Sequence, residues 1–280
     1  MSEAFLILNC YPRKSRENFT AADIGHPQNF FSRILKRERP GCSIDVVFAA
    51  DPDAALPTGA ALEQYTGMLW SGSDLTAYHM DDDRVTRQLE LVKTAFASKT
   101  PQWGSCWGAQ IAAVAAGGDV QKSPKGREWG FARGVTITPA GRAAKLYDGK
   151  KDRFDGFIMH LDEVTRLPTG SEILATNNHC DVQALIVERE GGSFWATQYH
   201  PEYDLFEMGR LVAGRAKVLV AEGFFDTEVD VQKEAEAMKR LYAAPTLTGL
   251  RDALSIGDDL LDPAITNREL INWINKVVGS

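Results

Sequence analysis

The sequence predicts an α/β fold: a mostly parallel β-sheet covered by helices on both faces, three layers in all, with a helical extension at the C-terminal end. Three observations point to it. Short β-rich runs alternate with helical patterns through the first half, the order that gives parallel strands joined by crossover helices. The middle turns to strand-like runs, two of them meeting at a two-glycine turn. After Phe225 only helical, charged segments remain.

Taken in order, Ala4–Asn9 opens with five apolar residues before Asn9. There is no basic stretch ahead of it and no long apolar run, so it reads as a first strand and not as a signal peptide. A helix is expected over Asn29–Arg37 and a second strand over Ser43–Ala49. Gly67–Trp70 is a third strand, ending at Ser71-Gly72-Ser73. Asp81–Ser98 is a helix: acidic residues crowd its start, and Val85, Leu89, Val92 and Phe96 fall at helical spacing. Pro101–Ser105 is a short strand. Ile111–Ala116 lies in a helix that stops at Gly117-Gly118. Strands follow at Ala132–Thr138, Phe157–His160, Glu172–Thr176, Gln183–Glu190 and Ser193–Tyr199, the last two joined as a hairpin at Gly191-Gly192. Leu205–Gly223 reads as one long helix.

Helices are then expected over Val229–Tyr242, Leu247–Ser255 and Asn267–Val278, punctuated by Pro245 and Pro263. The chain thus divides into a main α/β domain, 1–225, and a helical extension, 226–280. The extension, at about 55 residues, is too short for a catalytic domain of its own. Its apolar positions (Val229, Ala235, Met238, Leu241; Leu250, Leu254; Leu270, Trp273, Ile274) point to amphipathic helices packed on the same chain. A subunit or homo-oligomer contact is the other use of such faces.

With 280 residues, 44% hydrophobic and 25% charged, the chain has the composition of an ordinary globular protein with a sizeable core. The net charge of −7 and the scattered Lys and Arg argue against a nucleic-acid or membrane-surface binder. No segment reaches the ~18 apolar residues of a membrane-spanning helix. Cys10, Cys42, Cys106 and Cys180 form no CxxC pair, so zinc and redox pairs are not expected, and the thiols fit a reducing, cytoplasmic setting. No two histidines share a helix face at metal-ligand spacing, and no phosphate-binding glycine loop is present, so neither metal nor cofactor is expected.

The sharpest local feature is Gly104-Ser105-Cys106-Trp107-Gly108, placed between an expected strand and an expected helix. That context matches a nucleophile elbow with Cys in place of Ser. The elbow forces the nucleophile into an unfavourable backbone conformation, and glycines two residues away on either side give the turn its room. The thiol then sits at a helix N-terminus, where partial positive charge favours thiolate. The bland alternative is a buried Cys in a glycine-rich turn. His200-Pro201-Glu202 follows a strand. Imidazole is the usual base beside a thiol, and a carboxylate two residues on can hold the far ring nitrogen, as in a triad. Alone, these would serve equally as a solvated strand end. Of the other histidines, His26 and His79 fall in expected loops facing solvent, and His179 in a turn.

At this point the chain resembles the class I, triad-bearing glutamine amidotransferase family over roughly residues 4–224. The likeness is to the glutaminase domain of GMP synthases, in the form of a stand-alone member. Five ordered stretches carry the resemblance. Gly67-Met68-Leu69-Trp70-Ser71-Gly72-Ser73 resembles the family's oxyanion loop, and Gly104 through Gln110 its nucleophile segment. Arg127-Glu128-Trp129-Gly130 resembles Arg-Glu-Tyr-Gly. His160-Leu161-Asp162-Glu163-Val164 with Leu167-Pro168 resembles His-x-Asp-x-Val and Leu-Pro. Thr197-Gln198-Tyr199-His200-Pro201-Glu202 resembles Gln-Phe-His-Pro-Glu.

The resemblance implies a flavodoxin-like three-layer fold, with Cys106 as nucleophile, His200 as base and Glu202 as its orienter. It implies an oxyanion hole from the Ser73 and Trp107 backbone N–H groups, and a glutamyl site at Gln110, His160 and Asp162. Blander readings stand beside these: a helix-surface residue for Gln110, and loop anchors for His160 and Asp162. Ser73 stands where Gly is usual, Asp74 where Pro is usual, and Leu161 replaces a common Gly. These departures imply an altered loop and a reshaped pocket.

Three functions follow. One is a glutaminase that hydrolyses glutamine to glutamate and ammonia for a synthetase on a separate protein. Another is a partner-independent γ-glutamyl hydrolase acting on small γ-glutamyl amides. The third is a catalytically silent regulatory module, which the intact triad residues argue against.

Overall fold

A computed structural model describes residues 3–278; residues 1–2 and 279–280 of the two expected segments lie outside them. The strands are β1 (Ala4–Asn9), β2 (Ser43–Phe48), β3 (Gly67–Trp70), β4 (Gln102–Ser105), β5 (Asp119–Lys122), β6 (Glu128–Ile137), β7 (Arg153–His160), β8 (Asp162–Arg166), β9 (Ser171–Thr176), β10 (Ala184–Arg189) and β11 (Gly192–Thr197). The helices before β11 are α1 (Arg13–Ala21), α2 (Pro27–Glu38), α3 (Asp83–Ser98), α4 (Trp107–Ala115) and α5 (Pro139–Ala143). After it come α6 (Leu205–Gly214), α7 (Ala216–Ala221), α8 (Glu228–Ala243), α9 (Thr248–Leu254), α10 (Asp258–Leu261), α11 (Pro263–Thr266) and α12 (Arg268–Asn272), and a π-helical turn, Trp273–Val277, closes the described chain.

Nine strands form one sheet in the order β2-β1-β3-β4-β11-β10-β9-β6-β7. The pairs from β2 to β11 are parallel, and those from β11 to β7 are antiparallel. Only β10 and β6 therefore run against the other seven, and the expected mostly parallel α/β sheet is what the chain forms. The central strands are buried on both faces, so they read as near-continuous apolar runs: Phe5, Leu6, Ile7 and Leu8 are all fully buried. One face of the sheet packs against α3 and α4 through Leu6, Trp70, Leu89, Val92, Phe96 and Ile111. The other packs against α2 and the C-terminal turns through Phe5, Ile7, Phe31, Ile34, Trp103 and Trp273.

The ends of the parallel strands matter most for the site. β4 lies between β3 and β11, so the turns that follow these three neighbouring strands, at Ser71-Gly72-Ser73, Cys106 and His200, open at one edge of the sheet. This is the strand-end crevice where α/β sheets bind ligands.

The structure corrects several expected elements. α1 was not expected: Phe19 is its sole buried residue, so it offers no apolar period to read. β5 and β8 form a separate two-stranded sheet; β5 buries only Val120, too little pattern to mark a strand. The expected helix Leu205–Gly223 breaks at Arg215, whose φ of −106° and ψ of 12° leave the helical region. Gly214 precedes the break, and a Cβ there would come within 2.6 Å of Ile24 Cδ1. The last expected helix, Asn267–Val278, divides into α12 and the π turn.

The C-terminal helices pack on the same chain. Val231, Ala235, Met238 and Leu241 of α8 bury against Met208, Leu211 and Val212 of α6. Val229, expected on that face, is instead exposed, with Val231 in its place. Trp273 lies under the sheet with its ring centroid 6.2 Å from that of Trp103. It fits there because β3 begins with Gly67, where a Cβ would meet the indole at 2.8 Å.

Candidate active site

Cys106 is the turn between β4 and α4, and its backbone has φ 55° and ψ −100°. A non-glycine residue there costs about 1–3 kcal/mol and persists only where its surroundings impose it. Here they do. The Cys106 N–H donates to the Thr197 carbonyl at 2.7 Å, tying the elbow to the end of β11. Gly104 and Gly108 are needed because the chain folds tightly on itself: a Cβ on Gly104 would stand 2.8 Å from Gly108 Cα and 2.7 Å from the Phe194 ring. The thiol approaches the Met159 carbonyl at 3.9 Å, and Cys106 and the His200 ring both border the space beside Gly72.

His200 is almost fully buried and Glu202 fully so. The His200 Nδ1 and Glu202 Oε1 lie 2.7 Å apart, which leaves Nε2 for the thiol. The second carboxylate oxygen accepts a hydrogen bond from Ser105 Oγ at 2.8 Å, and Ser105 Oγ in turn accepts from Trp103 Nε1 at 3.2 Å. The residue just before Cys106 therefore anchors the carboxylate that faces His200. Burial alone would lower the His200 pKa; the Glu202 carboxylate and the adjoining Cys106 outweigh it and raise it to about 10. The ring also stacks on Tyr203, centroids 4.3 Å apart and planes 12° from parallel.

The loop after β3 faces this group. Ser73 is not among the described residues with positive φ, so Ser in place of the usual Gly strains nothing there. Its hydroxyl donates to the Cys10 carbonyl at 2.8 Å and accepts from the Leu75 N–H at 3.2 Å. No backbone acceptor among the described residues takes the Ser73 N–H. Trp107 is the first residue of α4, and its N–H has no carbonyl one turn earlier to bond. A Cβ placed on Gly72 would lie 3.1 Å from Tyr11 Oη, 3.2 Å from His200 Cε1 and 3.7 Å from Cys106 Cβ, so these three groups converge on one point.

A cavity of about 240 Å³ opens above Cys106, bordered by Ser73, Gln110, His160, Asp162 and His200. Six of the eight residues singled out from sequence thus line one cleft; Glu202 sits behind His200, and the Trp107 indole is turned into the core, where it donates to Gln88 at 2.9 Å. Gln110 Nε2 donates to the Asp162 carbonyl at 2.8 Å, and His160 Nδ1 lies 2.9 Å from that same oxygen. Gln110 is buried, not on a helix surface. His160 ends β7, and its Nε2 is held 3.1 Å from Glu128. Glu128 also accepts from Asn177 and Gln183 at 2.6 and 2.7 Å, a hub with no assigned role at the sequence level. The Asp162 carboxyl remains on the cleft, its pKa raised by burial.

The region also contains residues that sequence reasoning passed over. Tyr11, Tyr203 and Arg215 line the cleft. The C-terminal segment reaches the His200–Glu202 stretch: Asn267 Nδ2 donates to the Pro201 carbonyl at 2.6 Å. Tyr199 donates to Glu269 at 2.6 Å, and Lys150 pairs with Glu269 at 2.7 Å in full burial. Of the cysteines other than Cys106, Cys10 and Cys180 are buried and Cys42 is half-buried, and all four are free thiols. Burial pushes the Cys10 thiol up to about 12. Among the described residues no cluster of His, Cys, Asp and Glu has the arrangement of a metal site, and no helix is long and apolar enough to cross a membrane.

Residues 28–215 match the family model described as glutamine amidotransferase class-I. A γ-glutamyl-L-1-hydroxyisopropylamide hydrolase from a Pseudomonas species is 33% identical over 257 residues, 90% of this chain and 85% of that protein. The glutamine-hydrolyzing GMP synthase of Bordetella avium is 30% identical over 186 residues, 65% of this chain but 33% of that protein. The chain therefore spans about a third of the synthase it matches. Among solved structures, a Thermotoga maritima glutamine amidotransferase superposes with a TM-score of 0.65 at 18% identity, covering 94% of this chain and 99% of its own. A Methylobacillus flagellatus glutamine amidotransferase gives 0.62 at 18% identity, covering 100% and 95%.

Proposed function

The chain belongs to the class I glutamine amidotransferase family, and from that premise we propose that it hydrolyses γ-glutamyl amides through a Cys106–His200–Glu202 triad. The observation that carries this reading is the strained Cys106 backbone, which presents its thiol to a His200 ring held 2.7 Å from a buried carboxylate. With its pKa raised, His200 is cationic at neutral pH and has a proton to give.

The Cys106 sulfur attacks the amide carbon, and the carbonyl π electrons move onto oxygen. The N–H groups of Ser73 and Trp107 hold that oxyanion. As the intermediate collapses, the C–N bond breaks and the His200 Nε2 proton passes to the departing nitrogen, leaving a γ-glutamyl thioester. Neutral His200 then takes a proton from water, whose oxygen attacks the thioester; glutamate leaves and the thiolate returns. Gln110, His160 and Asp162 border the glutamyl half, and His160 also fixes the Asp162 backbone. Residues 1–225 supply this machinery, and 226–280 brace it.

A γ-glutamyl amide larger than glutamine is the favoured substrate. Support comes from the amide hydrolase relative, aligned over most of both chains, and from the Tyr11, Tyr203 and Arg215 side of the cleft, which ammonia as leaving group would not fill. The GMP synthase relatives favour a second reading, glutamine hydrolysis with ammonia passed to a synthetase on another protein. Glutamate release from glutamine and from N-alkyl γ-glutamyl amides separates the two. Hydrolysis of alkyl amides in preference to glutamine supports the first; glutamine turnover alone, rising with an added synthetase, supports the second and overturns the first.

A further inference from the structure

We propose that Tyr11, Tyr203 and Arg215 form the subsite for the departing amine, and that it takes γ-glutamyl amides whose amine half carries a carboxylate. This rests on the hydrolase reading above and names its substrate class.

The first argument is positional. His200 gives its proton to the leaving nitrogen, so the amine departs past His200, and Tyr203 is stacked on that ring. Tyr11 Oη converges with His200 and Cys106 on the space beside Gly72. Arg215 and Leu211 follow from α6 on the same cleft. Gln110, His160 and Asp162 come from other elements, α4, β7 and β8, and are bound to one another. The cleft thus has a glutamyl side and a separate side around the base.

The second argument is chemical. The Tyr11 and Tyr203 hydroxyls and the Arg215 guanidinium have no hydrogen-bond or ion-pair partner among the described residues. Arg127, on the same cleft, is by contrast satisfied by Glu222 at 2.6 and 2.9 Å. Tyr11 and Tyr203 are buried residues and Arg215 is half-buried, so their three unpartnered polar ends face the cleft together, where a ligand can meet them. Guanidinium can only donate, and burial keeps both phenols protonated: their pKa values are raised first by desolvation and then by neighbouring negative groups, with Arg215 opposing. A carboxylate meets three donors at once. Of the acids near this wall, Glu202 is engaged by His200 and Ser105, and Asp74 is exposed and already accepts from Ser15 Oγ at 2.6 Å.

Arg215 lines the cleft from the point where the helix breaks. As the junction of α6 and α7, it departs from helical geometry while its own N–H still bonds to Leu211 and Val212.

The test compares kcat/KM for γ-glutamylglycine, γ-glutamyl ethylamide and mono-γ-glutamyl ethylenediamine, whose amine halves are anionic, neutral and cationic. Wild type should prefer the anionic one. Arg215→Ala should lower kcat/KM for γ-glutamylglycine roughly 10- to 100-fold more than for the ethylamide, the range of a charge-assisted hydrogen bond. Arg215→Lys should recover part of that selectivity, and Arg215→Glu should shift preference to the cationic amide; circular dichroism melting establishes that each variant folds. Equal losses on all three amides would place Arg215 on the glutamyl carboxylate or in the fold, and would overturn the proposal, as would indifference of wild type to charge. Failure of wild type to cleave any γ-glutamyl amide would overturn the hydrolase reading itself, and this subsite with it.

Discussion

Asn267 donates to the carbonyl of Pro201 at 2.6 Å, so a residue 66 positions along the chain holds the backbone link between His200 and Glu202. This bond is buried, and removing it strands the carbonyl. Asn267→Ala is expected to cost about 1–3 kcal/mol in urea unfolding and to lower kcat with little change in KM, because the base is displaced and not the substrate. Unaltered kcat in a folded variant would show that the extension does not steady the base.

Lys150 and Glu269 are a charge pair with almost no exposure. Burial lowers the Lys150 pKa while Glu269 opposes it. Lys150→Met leaves an unpaired buried carboxylate and is expected to destabilise by about 3–5 kcal/mol. Replacing both, as Lys150→Met with Glu269→Leu, should recover much of that loss. Equal stability of the single variant and wild type would contradict the buried pairing.

The pH dependence follows from His200. Its folded pKa is raised, against burial, by Glu202 and Cys106 to about 10. A group raised in this way stabilises the fold fully below its unfolded value of about 6.5, and the contribution is lost as pH rises through 10. The alkaline limb of kcat/KM, which reports the acid of the free enzyme, should therefore lie near pH 10 in wild type. In Glu202→Gln, burial prevails, and the limb should move to lower pH. A limb that stays in place would show that Glu202 does not set the charge of the ring.

Gly72 leaves little room for a side chain beside the reacting groups. A methyl group there would press on Tyr11 Oη and His200 at 3.1 and 3.2 Å. Gly72→Ala should cut kcat/KM by roughly 10-fold, less than the roughly 10²-fold of a 1 Å displacement because the neighbours need shift only a few tenths of an ångström, with the melting temperature nearly preserved. Full activity would mean that the reacting centre lies elsewhere.

The parts of this molecule legible in its sequence are those with local pattern. Cys106 stands between two glycines at a strand–helix boundary, and His200 and Glu202 are two residues apart, so their geometry is written in spacing. The parallel strands announce themselves because burial on both faces makes them continuously apolar. Tyr11, Arg215, Asn267 and Glu269 gave no such signal, since each reaches a partner or a cleft across a long stretch of chain. The break before α7 did have a local mark in Gly214, but the reason for glycine there, the close approach of Ile24, is tertiary. His160 shows the reverse case: the motif named it, while only the structure shows its ring nitrogens taken up by Glu128 and the Asp162 backbone.

The central claim is that Cys106 carries the acyl group, and acid quenching during turnover of a γ-glutamyl amide tests it directly. Intact-protein mass spectrometry should find the chain heavier by one γ-glutamyl group, peptide mapping should place that group on Cys106, and Cys106→Ala should show neither adduct nor glutamate release. Glutamate release by Cys106→Ala at a substantial fraction of the wild-type rate, or an adduct on another residue, would contradict it.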